Sequence, residues 1–262
     1  NDILLSFFLG IVQGLTEFLP ISSSGHLALS YQLLGFEKNA VGIEFDILLH
    51  FSTLLAVLIY FRRKLFLMTM SLVKKGSHED KKMIWLLMIG TLPVVFLGLL
   101  LKDKVEAISS NPILVSSLLC FTGIILFLPV WLKNSKVNKL GNKSSLIIGF
   151  SQALAILPGI SRSGATITTG IMLGISPKIA AEFSFLLAIP AILGGTILKM
   201  NEISLIPPNQ FGIYLGGMIA AFIAGLIAIF CVLNLISKGK FAYFGFYCLL
   251  VGTTGLIYFA SR

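Results

Sequence analysis

Gly10–Leu27 reads GIVQGLTEFLPISSSGHL, and Gly149–Thr166 reads GFSQALAILPGISRSGAT. Both lie within apolar sequence, yet the first carries Gln13, Thr16, Glu17, Ser22, Ser23, Ser24 and His26. A helix that only had to dissolve in lipid would hold none of these. At a constant offset Gly10 falls on Gly149, Gln13 on Gln152, Leu15 on Leu154 and Ile21 on Ile160. Ser22 then falls on Ser161, Ser24 on Ser163 and Gly25 on Gly164. The copies differ where chemistry would differ: Glu17 faces Ile156, Ser23 faces Arg162 and His26 faces Ala165. The chain therefore reads as a scaffold that brings two broken helices together.

Composition sets the solvent. The chain is 56% hydrophobic and 12% charged, with mean hydropathy +0.95. Soluble domains carry about 25% charged residues. Several apolar runs approach or exceed the roughly 20 residues that cross a bilayer, so this is an all-α polytopic membrane protein. The start, NDILLSFFLG, has no basic residue ahead of its apolar part and does not read as a cleavable signal. It opens on Asn1 rather than Met, as a trimmed chain would. Cys120, Cys231 and Cys248 sit in apolar runs and suggest neither a disulfide framework nor a metal spacing. The net charge of +9 suits loops beside an anionic leaflet better than nucleic acid.

Six spans follow from the apolar runs: Ile43–Phe61, Met83–Leu101, Pro112–Leu132, Ile179–Leu198, Phe211–Ile236 and Phe241–Phe259. Trp131 is placed for a headgroup interface. Arg62 to Lys82 and Lys133 to Lys143 read as basic loops, and Lys102 to Asn111 as a short polar loop. The repeat extends further, because Glu44-Phe45-x-x-Leu48-Leu49 matches Glu182-Phe183-x-x-Leu186-Leu187. Each half, 1–136 and 143–262, is one broken helix plus three spans within a single membrane domain. Three is odd, so re-entrant broken helices leave the second half inverted relative to the first. That is an inverted-topology repeat, with interrupted helices meeting near the midplane. One set of loops then holds fourteen Lys and Arg and the other five, with Arg162 left in the membrane. The richer side is expected to be cytoplasmic, with both termini outside.

Pro20 and Pro158 stop their helices. The turns that follow must be buried in protein or line a wet cavity. Free N–H groups, hydroxyls and a new helix N-terminus form an anion site there. Arg162 adds a permanent charge and a planar fork for phosphate oxygens; the plainer reading is a buried pair with Glu182 or Glu17. Gln13 and Glu17 share one helix face. With Glu44 and Asp46 they are hard oxygen ligands suited to Mg2+ or Ca2+, especially when phosphate completes the shell. Interfacial snorkelling is the plainer reading of Glu44 and Asp46. His26, after three serines and a glycine, can serve as base, nucleophile or proton donor. His50 reads as structural or pore-lining. Gly10 and Gly14, like Gly212 and Gly216, are spaced for close helix packing.

On these residues the chain resembles the undecaprenyl-diphosphate phosphatase family, the bacitracin-resistance membrane phosphatases. Two signatures carry the resemblance. One is the Glu/Gln-x-x-x-Glu motif with following serines and histidine, as Gln13, Glu17, Ser22, Ser23 and His26. The other is Pro-Gly-x-Ser-Arg-Ser-x-x-Thr, as Pro158, Gly159, Ser161, Arg162, Ser163 and Thr166. The resemblance implies metal-dependent hydrolysis of undecaprenyl diphosphate to the monophosphate carrier, which recycles that carrier for cell-wall synthesis and confers bacitracin resistance. It also implies the bacterial inner membrane and a site open to the outer face. It makes Glu17 the metal-binding or catalytic carboxylate, with Gln13 beside it where many members have glutamate. It makes His26 and Ser23 the catalytic pair, and Arg162, Ser161 and Thr166 the diphosphate clamp. Ser22, Ser24, Gly25, Ser163 and Gly164 join the substrate-binding set. Acid-phosphatase-like lipid phosphatases share Ser-Gly-His and Ser-Arg but need a second histidine after the latter, and none follows Arg162 here. The rival function is a transporter or flippase of a phosphorylated prenyl lipid, since inverted repeats suit alternating access. A second copy of the chain, as a homodimer, is the one protein partner entertained.

Overall fold

A computed structural model describes residues 2–34, 43–73, 77–131, 139–199 and 210–261. Among the described residues the chain is helical, with no strand. The first broken helix is α1 (Asp2–Phe18) and α2 (Ser23–Leu33), and the second is α8 (Asn142–Leu154) and α9 (Arg162–Met172). Between them lie α3 (Ile43–Tyr60), α4 (Arg62–Val73), α5 (His78–Leu100), α6 (Lys102–Ser109) and α7 (Pro112–Trp131). After them come α10 (Pro177–Leu198), α11 (Phe211–Ser237) and α12 (Ala242–Ala260). Five helices, α5, α7, α10, α11 and α12, are long and apolar enough to cross a membrane. A sixth span exists if α3 and α4 are taken together across their 76° bend. The chain is a multi-pass membrane protein, and all six expected spans coincide with helices.

Two expected loops are helices instead. Arg62–Val73 is α4, which buries Met68 and Ser71 while leaving Phe66, Leu67, Leu72 and Val73 exposed. Its cations are concentrated in the first turn, and the rest is apolar enough to lie along a surface. Lys102–Ser109 is α6. Lys81 and Lys82 belong to the first turns of α5 rather than to a loop. Lys74, Lys75 and most of the stretches around Lys38, Lys133 and Asn201 lie outside the described residues, as does the Trp131 side chain.

The helices pack in pairs that a two-fold relation requires. Helix α1 lies on α11, and its counterpart α8 lies on α5. A Cβ on Gly10 would fall 2.2 Å from the Gly217 carbonyl oxygen; one on Gly149, its repeat partner, would fall 2.4 Å from that of Gly90. Helices α7 and α12, themselves counterparts, face each other, and a Cβ on Gly123 or Gly245 would lie 2.9 Å or 3.0 Å from the other's carbonyl oxygen. With lipid as solvent, such backbone-to-backbone approach is a principal source of helix association. Gly14 takes the same role against Ala221, whereas Gly212 has nothing within 4 Å among the described residues. Of the second pair expected to serve close helix packing, a Cβ on Gly216 would meet Ser6 and Phe7 of α1 only at ordinary contact distance, 3.8 Å and 3.9 Å, and Gly212 makes no such contact among the described residues. Each broken helix is clamped by a span from the other half of the chain.

This packing is testable. Gly10→Ala and Gly149→Ala each place a methyl group against an unyielding backbone carbonyl. Each is expected to cost about 1–3 kcal/mol, read as a lowered melting temperature in detergent. Gly212→Ala, in open space, should leave that temperature unchanged.

Candidate active site

The first break spans Leu19–Ser22 and the second Ala155–Ser161. Ser22 caps α2 by accepting from Gly25 N at 3.3 Å, and Ser161 caps α9 by accepting from Gly164 N at 3.0 Å. The repeat therefore survives as capping geometry. A Cβ on Gly25 would stand 3.0 Å from Gly159 Cα, so the two turns touch. Neighbouring helices hold each turn at equivalent points. Thr122 Oγ1 donates to Gly159 O at 2.7 Å, and Cys248 Sγ approaches Pro20 O at 3.8 Å. Pro20 and Gly159 are repeat partners at the same offset.

Ser22 departs from this symmetry. Its φ is +71°, while Ser161 has φ −75°. A non-glycine residue held there costs on the order of 1–3 kcal/mol and persists only when its surroundings over-determine it. They do so here. Ser22 Oγ also accepts from Gly159 N at 3.2 Å, and Ser22 O accepts from His26 N and contacts His26 Nδ1 at 2.8 Å.

Both helix N-termini open on one cavity of about 500 Å³. Its wall includes Glu17, Ser22, Ser23, Ser24, Ser161 and Arg162 from the broken helices. An Arg162–Glu17 ion pair joins the two copies, through Arg162 Nη2 and Glu17 Oε1. Glu17 Oε2 accepts from Ser23 Oγ at 2.6 Å and from Gln13 Nε2 at 3.0 Å. Arg162 Nη1 is buried and has no hydrogen-bond partner among the described residues. Glu182, the other carboxylate weighed for Arg162, pairs with Lys64 at 2.8 Å instead.

Other candidates from the sequence stand apart from the wall. His26 Nε2 meets Tyr247 Oη at 3.0 Å, with the rings stacked at 5.6 Å, so His26 turns toward α12. Thr166 is fully buried, bonded to Arg162 O at 2.8 Å and to Ser184 Oγ at 2.6 Å. Ser163 Oγ donates to Leu19 O at 3.1 Å, tying α9 to the first turn. Gly25 and Gly164 give close packing and capped N–H groups. Gln13 is fully buried behind Glu17.

The cavity also takes Asp46, one of the hard oxygen ligands expected from the sequence, His50, read there as structural or pore-lining, and residues that the sequence did not single out. His50 lines it, with Nε2 3.7 Å from Glu17 Oε2 and Nδ1 2.8 Å from Asp46 O. Asp46 and Gln152 line it too, as do Ser109, Ser110, Thr196 and Lys199 near the ends of α6 and α10. His50 follows Asp46 by one helical turn. That i, i+4 step was the available signal, but it gains meaning only once Asp46 is known to face inward. Apolar walls come from Ile47, Val94, Ile156 and Ile192. The arrangement pairs a floor of two helix N-termini and a guanidinium with a hydroxyl held against a carboxylate, beneath an apolar wall.

Hard oxygens suited to a divalent cation are present but few. Glu17 reaches the cavity, and Gln13 Oε1 beside it is buried without a hydrogen-bond partner among the described residues. No group of three or more His, Cys, Asp or Glu is placed to hold a metal among those residues. The donor set fits Mg2+ or Ca2+ when phosphate oxygens supply the remaining ligands, which is how Mg2+ is commonly bound.

Comparison with known proteins agrees with this architecture. Residues 6–254 match the family model described as bacitracin resistance protein BacA. Curated proteins named undecaprenyl-diphosphatase are similar along nearly their whole length. The one from Methanobrevibacter smithii is 39% identical over 96% of this chain and 95% of its own. Those from Protochlamydia amoebophila and Christiangramia forsetii are each 40% identical, over 97% and 98% of both chains respectively. With a family match across almost all of its length and relatives at this identity, the chain belongs to the BacA bacitracin resistance protein family.

Proposed function

We propose that this protein is an integral-membrane undecaprenyl-diphosphate phosphatase, which releases phosphate from the lipid diphosphate and returns the monophosphate carrier. One observation carries the mechanism: Ser23 Oγ donates to Glu17 Oε2 at 2.6 Å while Arg162 holds the other carboxylate oxygen, all on the wall of one cavity. The diphosphate enters between the two turns, with its prenyl tail along apolar wall and lipid. Arg162 Nη1 and the α2 and α9 N-termini neutralise the phosphoryl oxygens. Ser23 Oγ attacks the terminal phosphorus and gives its proton to Glu17. The bond from that phosphorus to the bridging oxygen breaks, and the electron pair leaves with the prenyl monophosphate. Water then hydrolyses the phosphoserine. Phosphoryl transfer demands mostly positioning and charge stabilisation, and the paired N-termini and arginine supply both. His26 acts as a positioning residue that fastens the strained Ser22 turn to α12 through Tyr247.

A divalent cation, Mg2+ or Ca2+, would be held by Glu17, Gln13 and diphosphate oxygens, and supplies charge neutralisation when bound. The location we propose is the bacterial inner membrane, with the cavity open to the outer face. Two features support that side: Ser109, Ser110 and Lys199 lie at the cavity, and their ends of α6 and α10 carry the fewer cations. A second copy of the chain could pack on the open face of α11 at Gly212. The transporter reading is not favoured. The curated relatives carry a hydrolase name, and α1 and α8 are each locked to the opposite half, which opposes rocking of one half on the other.

The measurement is phosphate release from a short-chain prenyl diphosphate in detergent. Arg162→Ala and Ser23→Ala are each expected to lose about 10²–10³-fold in kcat while the protein still inserts and elutes as a single species. Near-wild-type turnover in either would end this mechanism. Chelation of divalent cations should stop release and Mg2+ or Ca2+ should restore it; release that continues under excess chelator would remove the metal from the scheme.

A further inference from the structure

The two broken helices carry matching glutamines that meet different fates. Gln13 has Glu17 one turn later and donates to it at 3.0 Å. Gln152 has Ile156 one turn later, because the second copy lacks the carboxylate. Gln152 is 1% exposed, lines the cavity, and neither Nε2 nor Oε1 has a hydrogen-bond partner among the described residues. A buried carboxamide with neither atom paired is costly, and native structures rarely keep one without a use. Among the described residues, the other buried group on this wall without a partner is Arg162 Nη1. Both belong to the second broken helix, and both have donor capacity to spare. A diphosphate is rich in acceptor oxygens and matches that surplus.

We infer that Gln152 is a diphosphate-binding residue, whose carboxamide donates from α8 to a phosphate oxygen of the same group that Arg162 neutralises. A neutral donor suits this place. A second cation would carry a heavy desolvation cost beside apolar Ile156, and a carboxylate would repel the ligand. The repeat was therefore adapted in two directions: one glutamine steadies the carboxylate, while the other is left open for substrate. This inference rests on the proposed phosphatase reading for its substrate, though not for its anion.

The test uses the full-length protein in detergent with two probes. Inorganic pyrophosphate binding is read by thermal shift, and steady-state phosphate release from a short-chain prenyl diphosphate is read for KM and kcat. Gln152→Met keeps length and removes the donors, and Gln152→Glu adds repulsion. Gln152→Met is expected to melt higher than wild type without ligand, since it removes an unpaired buried amide. It should weaken pyrophosphate binding about tenfold and raise KM similarly, with kcat within about threefold, the scale of one hydrogen bond to a charged group. Gln152→Glu should weaken both further. Should Gln152→Met fail to fold, Gln152→Glu and Gln152→Asn carry the same binding comparison. Wild-type pyrophosphate affinity in the folded variants overturns the inference, as does a wild-type protein that binds no pyrophosphate. So does a lowered melting temperature with unchanged affinity, which marks a water-bridged structural amide. A wild-type protein that binds pyrophosphate through Gln152 but releases no phosphate would overturn the phosphatase reading and leave this site standing.

Discussion

The ion pair between Glu17 and Arg162 is the constraint around which the molecule is arranged. Its partners lie far apart in sequence and come from different repeats, and only 7% and 16% of the two side chains is exposed. A single charge at membrane depth costs several kcal/mol, and removing one partner of a buried pair typically costs 3–5 kcal/mol, because the other is left bare. Either charge alone carries that penalty, which favours the meeting of the two turns. Gln13, Ser23 and His50 then gather around the carboxylate, and the serine caps aim two helix starts into the same space. A pair that would be a liability in a purely structural helix here lies on the wall of a cavity, where one guanidinium nitrogen is left without a partner among the described residues.

The two halves share a frame and diverge in chemistry. Matching glycines, matching serine caps and matching tethers to α7 and α12 keep the frame. The first copy supplies carboxylate, hydroxyl and a strained turn; the second supplies cation, relaxed turn and an unpaired amide. Proline placement belongs to the same divergence. Pro20 has no N–H to give, so Ser161 has no counterpart to the Gly159 N–H that Ser22 receives. Of the two capping serines only Ser22 accepts a bond from the opposite turn, and among the described non-glycine residues only Ser22 has a positive φ.

The broken helices and six spans were legible because proline, serine clusters and apolar runs act locally. The Glu17–Arg162 pair was legible as an alternative, since an intramembrane arginine demands a partner. The direction in which side chains point was not legible. His26 sits in the more suggestive motif, yet it faces Tyr247, while the plainer His50 faces the carboxylate. Thr166 belongs to the other motif, yet it is fully buried and hydrogen-bonded to Ser184. Such facing depends on which helices come alongside, and one-dimensional spacing does not encode it. Helix α4 was missed because three adjacent cations dominate its reading, although Leu65, Met68 and Leu72 fall on a helical period.

The crossing of each broken helix onto the opposite half bears on how the protein is made. Gly10 must find Gly217, more than two hundred residues later in the chain. At roughly 5–20 residues per second, the first hairpin waits on the order of ten seconds or more before the helix that encloses it leaves the ribosome. For most of that interval Glu17 lacks Arg162, and throughout it lacks its final wall. The nascent hairpin must therefore shelter in the insertion machinery or at the wet edge of the bilayer, and its late docking closes the fold.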